Sequence, residues 1–213
     1  MTNQYDSSIP FSSDSRPPVI QNHGPLNERY LDQIERTIEK AIQCHPRTMA
    51  VRVDLRFPAC AARTDKSVIS RFVDSLKAQI KADLKAKDRA GKRVHPCHLR
   101  YIWTREQDSG ARQHYHVLLL LNLDTYRDLG RYDAAGGNLT HRIRSAWASA
   151  IGVPLCRLGG AVHIPDNPIY HLNINSSDFG DSFDALYYRT SYFAKQKTKQ
   201  YGAGVRHFGC SSR

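Results

Sequence analysis

Beginning at Asn27, the chain sets Tyr30, Ile34, Ile38 and Ile42 four residues apart behind an asparagine in capping position, which predicts a helix with one apolar stripe. The period then falls to two. In "MAVRVDLRF", Val51, Val53, Leu55 and Phe57 alternate with Arg52, Asp54 and Arg56, which predicts a half-buried strand. From Asp65 to about Lys87, Val68, Ile69, Phe72, Leu76, Ile80 and Leu84 recur at three and four, giving a long helix whose other face is basic. Gly91 and Pro96 interrupt the pattern, and "HLRYIWTRE" and "HYHVLLLLN" follow as two strands joined by "QDSGAR". "NLTHRIRSAWASAIG" reads as a capped helix ending at Gly152. A shorter strand pair is expected in "GGAVHIP" and "NPIYHLN", and "SDFGDSFDALYYRTSYFAKQKTK" is expected to be helical.

This order of elements describes an α+β domain, a central antiparallel sheet of about five strands with helices packed on it. The 213 residues suffice for one good core and are too few for two ordinary domains. Residues 1–26, rich in Ser, Pro, Asn and Gln without periodicity, are expected to form a flexible arm, residues 27–200 the domain and residues 201–213 a flexible basic tail.

Charge narrows the class of partner. Lys and Arg total 31 against 20 Asp and Glu, a formal net charge of +11, which favours a polyanion, either nucleic acid or an anionic membrane surface. No segment approaches the ~20 apolar residues of a membrane span, and the N-terminus lacks the basic and apolar blocks of a signal peptide, so nucleic acid is preferred. Five scattered cysteines without a C-x-x-C pair fit a reducing cytoplasm. In "HPCH", His95, Cys97 and His98 neighbour one another in a short turn with no second ligand pair nearby in sequence, and are read as loop residues.

Two constellations carry chemistry. Because side chains alternate across a strand, His114 and His116 share a face with Leu118 and Leu120, about 7 Å apart along the strand and able to converge on one ion. On the pair alone, two half-exposed histidines at a strand end would look the same. If Asp108, Ser109 and Gly110 form a three-residue loop, Thr104 faces His114, Arg112 faces Glu106, and Glu106 lies diagonally beside His114 on the histidine face. Two imidazoles and a carboxylate would suit a divalent metal with positions open for substrate. On the last helix, Phe179, Phe183, Leu186, Thr190, Phe193 and Ala194 form the buried stripe, whereas Tyr188, Tyr192, Lys195 and Lys199 fall opposite, with Tyr187 at the flank. Ionising a phenol at neutral pH costs roughly 4 kcal/mol, a cost that a lysine one turn away lowers.

The hairpin from Glu106 to His114-Tyr115-His116, followed by "YYRTSYFAK", resembles the HUH endonucleases that initiate rolling-circle replication. The nearest likeness is to the inovirus-type replication protein family, known from bacterial prophage remnants as the YagK/YfjJ C-terminal domain. Tyr115 departs from the aliphatic middle residue usual in the histidine motif. The resemblance implies a Rep-like fold related to the ferredoxin and RRM plan, with Mg2+ or Mn2+ held by His114, His116 and Glu106. It implies Tyr192 as first nucleophile, Tyr188 as second and Lys195 steadying phenolate or phosphate. The implied reaction nicks and rejoins single-stranded origin DNA through a 5′-phosphotyrosine, in the cytoplasm of a bacterial host with its helicase and polymerase. Arg142, Arg144 and Lys199 are candidate contacts to the DNA backbone. A non-catalytic strand-binding module, stacking bases on Tyr101, Trp103 or Tyr115, and a single-strand transposase or relaxase with the same site are the rival readings.

Overall fold

Six strands form one antiparallel sheet in the computed structural model, which describes residues 16–107, 113–131, 137–196 and 206–212. The strands are β1 (Arg47–Arg56), β2 (Arg100–Glu106), β3 (His114–Asn122), β4 (Val162–His163), β5 (Ile169–Asn173) and β6 (Phe208–Cys210). Their order is β4, β1, β3, β2, β6, with β5 also on β1. Helices α1 (Glu28–Cys44), α2 (Val68–Arg89), α3 (Leu139–Ile151) and α4 (Phe179–Ser191) cover both faces.

Strand alternation sorts the core into two layers. Val51, Val53 and Leu55 of β1 and Tyr115, Val117 and Leu119 of β3 pack with α2 and α3. Trp147 of α3 anchors that layer, fully buried and donating its indole N–H to the Arg56 carbonyl at 2.8 Å. Residues of the other parity, Ala50, Ile102, Leu118 and Leu120, pack with α1 and α4. The expected asparagine cap of α1 forms, Asn27 Oδ1 accepting from the Tyr30 N–H at 3.2 Å. Gly152 ends α3 at φ 72°, the left-handed conformation that glycine adopts without strain.

Four expectations change. First, β1 is buried on both faces rather than half-buried, because helices cover both sides of the sheet and β1 runs through its middle. Second, β4 and β5 do not pair with each other. They follow one another along the same edge of β1, β5 opposite Arg47–Val51 and β4 opposite Asp54 and Leu55. Third, residues 208–210, assigned to a tail, form a strand antiparallel to β2 and make the sixth strand. Gly209 lies opposite Trp103, where a Cβ would come within 2.6 Å of the indole.

Fourth, residues 16–26 of the expected arm form a strap along the end of α4. The Ile20 N–H donates to Ser191 Oγ at 2.9 Å, and the Asn27 N–H donates to the Ala194 carbonyl at 2.8 Å. Residues 1–15 and 197–205 lie outside the described residues, as does Lys199. No helix among the described residues is long and apolar enough to cross a membrane.

Candidate metal and tyrosine centre

Register brings the three predicted ligands together. Glu106 lies directly opposite His114, and Thr104 opposite His116, two residues away from the expected pairing. A shift by an even number keeps every side chain on its face, so Glu106 stays with the histidines and gains a directly opposed partner. The Asp108-Ser109-Gly110 turn invoked for that register lies outside the described residues. One ligand atom each from Glu106, His114 and His116 lies within 4.8 Å of the others, with Glu106 and His116 buried and His114 partly so.

The neighbouring strand supports the pair from behind. Asp54 of β1 stands opposite His116, and its Oδ1 is 2.6 Å from His116 Nδ1. Burial pushes the Asp54 carboxyl up, but the hydrogen bond and charge of His116, with Arg52 and His163, hold it below the usual carboxylate range. An ionised carboxylate only accepts, so the proton sits on Nδ1 and the Nε2 lone pair is left for a ligand. Burial lowers the basicity of His116, yet the hydrogen bonds and charges of Asp54 and Glu106 outweigh it and raise its pKa.

Arg52 completes this group. Its Nε is 3.7 Å from Asp54 Oδ1 and its Nη2 is 3.3 Å from His116 Nδ1. From the sequence, Arg52, Asp54 and Arg56 form the polar face of β1 and are expected near the site only if that face is the one that carries it. The signal was there: all three have the same parity on β1, and the face of the sheet that carries Glu106, His114 and His116 is the one they share. Arg56, opposite His114, remains exposed.

The second predicted group arrives from α4. After Ser191 the helix tightens into a 3-10 turn at Tyr192–Ala194, and Lys195 leaves it with extended backbone. Phe193 and Ala194 seat that turn in the core. The tyrosine hydroxyl is thereby carried to the carboxylate: Tyr192 Oη is 3.5 Å from Glu106 Oε2. Lys195 Nζ donates to Glu106 Oε2 at 2.8 Å and also to the Tyr192 hydroxyl oxygen. Burial disfavours the ammonium, but the hydrogen bonds and charges of Glu106 and Tyr192 more than offset this and raise the Lys195 pKa. Desolvation pushes the buried Glu106 carboxyl up, but the hydrogen bonds and charges of His116 and Lys195 outweigh it and hold the group below its ordinary value.

Tyr188, one turn earlier, is 44% exposed and lines a groove with Tyr192, while Tyr187 is fully buried in the core. Arg142 and Arg144 are elsewhere. They sit on α3, on the opposite face of the sheet, and Arg142 pairs with Asp83 of α2 at 2.5 Å.

The residues present fit a divalent ion. The donor set is two imidazoles and a carboxylate, and Glu106 Oε1 is buried with no hydrogen-bond partner among the described residues, a costly state for a carboxylate oxygen that a cation would relieve. All five cysteines are free.

Comparison with known proteins agrees with the resemblance at the level of the family. The chain matches the YagK/YfjJ C-terminal domain over residues 12–211. It is 38% identical over 198 residues to the uncharacterized protein YagK of Escherichia coli (strain K12), covering 89% of this chain and 95% of that protein. It is 36% identical over 193 residues to the uncharacterized protein YfjJ of the same strain, covering 85% and 93%. No solved structure matches. By both its matched length and its identity to these relatives, the chain belongs to the YagK/YfjJ C-terminal domain family.

Proposed function

We propose that the chain is a metal-dependent endonuclease of the HUH type that nicks and rejoins single-stranded DNA at a replication origin of a phage, prophage or related element in a bacterial cytoplasm. The observation that carries this reading is the shared carboxylate. Glu106 belongs both to the candidate metal ligands and, through Lys195, to the Tyr192 hydroxyl, so a nucleophile and an ion would meet the same phosphate. Mg2+ or Mn2+, held by Glu106, His114 and His116, would supply Lewis-acid polarisation of a phosphate oxygen.

The chain's own residues then have defined tasks. Lys195 donates to the Tyr192 oxygen and so orients it for attack, and its charge suits a phosphate brought against it. The phenolic oxygen loses its proton and attacks phosphorus, the bond from phosphorus to the 3′ oxygen breaks, and that oxygen takes up one proton in place of the one the phenol lost, becoming a free 3′-hydroxyl from which a host polymerase extends. Tyr192 is left in a phosphodiester with the 5′ end. One diester replaces another, so the step is reversible. Tyr188, exposed along the same groove, would take over the strand for rejoining.

The test is incubation with single-stranded origin oligonucleotides and Mn2+, followed by a denaturing gel for a covalent adduct. Adduct is expected with Mn2+, none with EDTA, none with Tyr192→Phe, and a first cut retained with Tyr188→Phe. A fully active Tyr192→Phe protein would overturn the assignment of the nucleophile. Absence of adduct on every phage and prophage origin tried would favour a non-catalytic strand-binding protein.

A further inference from the structure

The N-terminal strap, β5 and α4 enclose a groove of about 700 Å3, within the range of small-ligand sites and large enough for more than a lone ion. Pro18, Ile20, Tyr170 and Tyr188 give it apolar and aromatic walls, and Tyr192 and Arg52 lie where it meets the candidate centre. Two arginines line it, but they differ in what occupies them. Arg189 donates to the carbonyls of Asp166 at 2.6 Å and Asn167 at 3.0 Å, which ties α4 to the loop between β4 and β5.

Arg52 is under-used by its neighbours. Its Nη2 points at His116 Nδ1, a nitrogen already turned to Asp54 at the shorter distance of 2.6 Å. Its Nε is buried and has no hydrogen-bond partner among the described residues. Its one counter-charge among the described residues, Asp54, is shared with His116 and His163. The guanidinium lies 5.4 Å from the Tyr192 ring centroid and 5.5 Å from that of Phe193, so two rings hold it beside the tyrosine. Asp184 is the carboxylate in the lining that opposes an anion, against Arg52 and Arg189.

We propose that this groove is a nucleotide subsite. It seats a nucleotide adjoining the scissile linkage, with its phosphate against the Arg52 guanidinium and its sugar and base against Tyr170 and the strap. The proposal rests on the reading above to the extent that a strand must run past Tyr192. A planar guanidinium suits a phosphate through paired N–H donors, and aromatic walls suit bases of any sequence.

The test is fluorescence anisotropy of the full chain with a labelled oligothymidylate, titrated at several NaCl concentrations from about 50 to 200 mM. Arg52→Gln is expected to lower affinity roughly ten- to hundredfold at low salt and to flatten the salt slope by about 0.7, the value of one phosphate contact on a single strand. Arg52→Lys is expected to keep the slope and recover part of the affinity. Mn2+ binding, followed by calorimetry on the same proteins, separates a phosphate contact from a structural one. An unchanged slope in Arg52→Gln, with any lost DNA affinity tracking lost Mn2+ affinity, would overturn the subsite. A native protein that shows the Arg52 effect but forms no covalent adduct would sink the nicking reading and leave the subsite standing. An adduct formed without any Arg52 effect on the slope would do the reverse.

Discussion

Asp54→Asn isolates the group that holds His116. The native carboxylate accepts the Nδ1 proton at 2.6 Å and so leaves Nε2 free to bind an ion. An asparagine offers two faces to the same ring. Its carbonyl still accepts from Nδ1, though more weakly, whereas its NH2 donates to Nδ1 and drives the proton onto Nε2, the nitrogen that must be bare. Carboxylates behind ligating histidines are typically worth ten- to hundredfold in metal affinity, about 1.4–2.7 kcal/mol. The upper part of that range is expected here, because Asp54 is only 6% exposed and is also the counter-charge of Arg52. The pH dependence has a definite sign. In the native protein the raised His116 pKa means that an ion entering at about pH 6 must displace a proton. Removing Asp54 takes away one of the two anions that raise it, which eases that competition and offsets part of the loss at low pH. The deficit should therefore be larger at about pH 8 than at about pH 6. Calorimetric Mn2+ titration at both values, on protein shown to be folded by circular dichroism, measures it. Affinity within about twofold of native at the higher pH, well short of the outer-shell range, would refute the reasoning, as would a deficit that grows on acidification.

Two further outcomes follow from the other face and the edge of the sheet. Asp83 is pushed up by burial but held below the usual carboxylate range by Lys87 at 2.9 Å, the Tyr126 hydroxyl at 2.8 Å and Arg142. A depressed folded pKa gives stability that is present above the unfolded value and lost as pH falls through the folded one, so native protein should lose stability below about pH 4 more steeply than Asp83→Asn, read by urea unfolding across pH. Superimposable pH profiles would contradict this. Gly209→Ala puts a methyl group 2.6 Å from the Trp103 indole and should cost about 1–3 kcal/mol by overpacking, with a change in tryptophan fluorescence as β6 shifts from β2. An unchanged urea midpoint would show that the indole moves aside freely.

Much of the fold is legible in the chain because the signals are local. Isoleucines at spacing four and an asparagine cap suffice for α1, and alternation suffices for β1 and β3. Alternation also assigns His114 and His116 to one face, and parity keeps Glu106 there although the register differs by two. The spacing of Tyr192 and Lys195 likewise survives in the structure, even though a 3-10 turn and an extended residue replace the expected continuous helix.

What no local pattern contains is which segments, far apart in sequence, lie together. Arg52 and Asp54 read as the polar face of β1; the pairing of β1 with β3 sets Asp54 against His116, and the arrival of α4 and its 3-10 turn over that face sets Tyr192 against Arg52. Arg142 reads as a free cation on a basic helix until α2 brings Asp83 against it. A three-residue strand such as β6 is too short to show a period, and the strap at residues 16–26 has none. The chain by itself determined the elements, their inward faces and the residues with chemistry to offer. Tertiary packing decided which of those residues share a carboxylate, because burial and ion pairing depend on neighbours that periodicity does not specify.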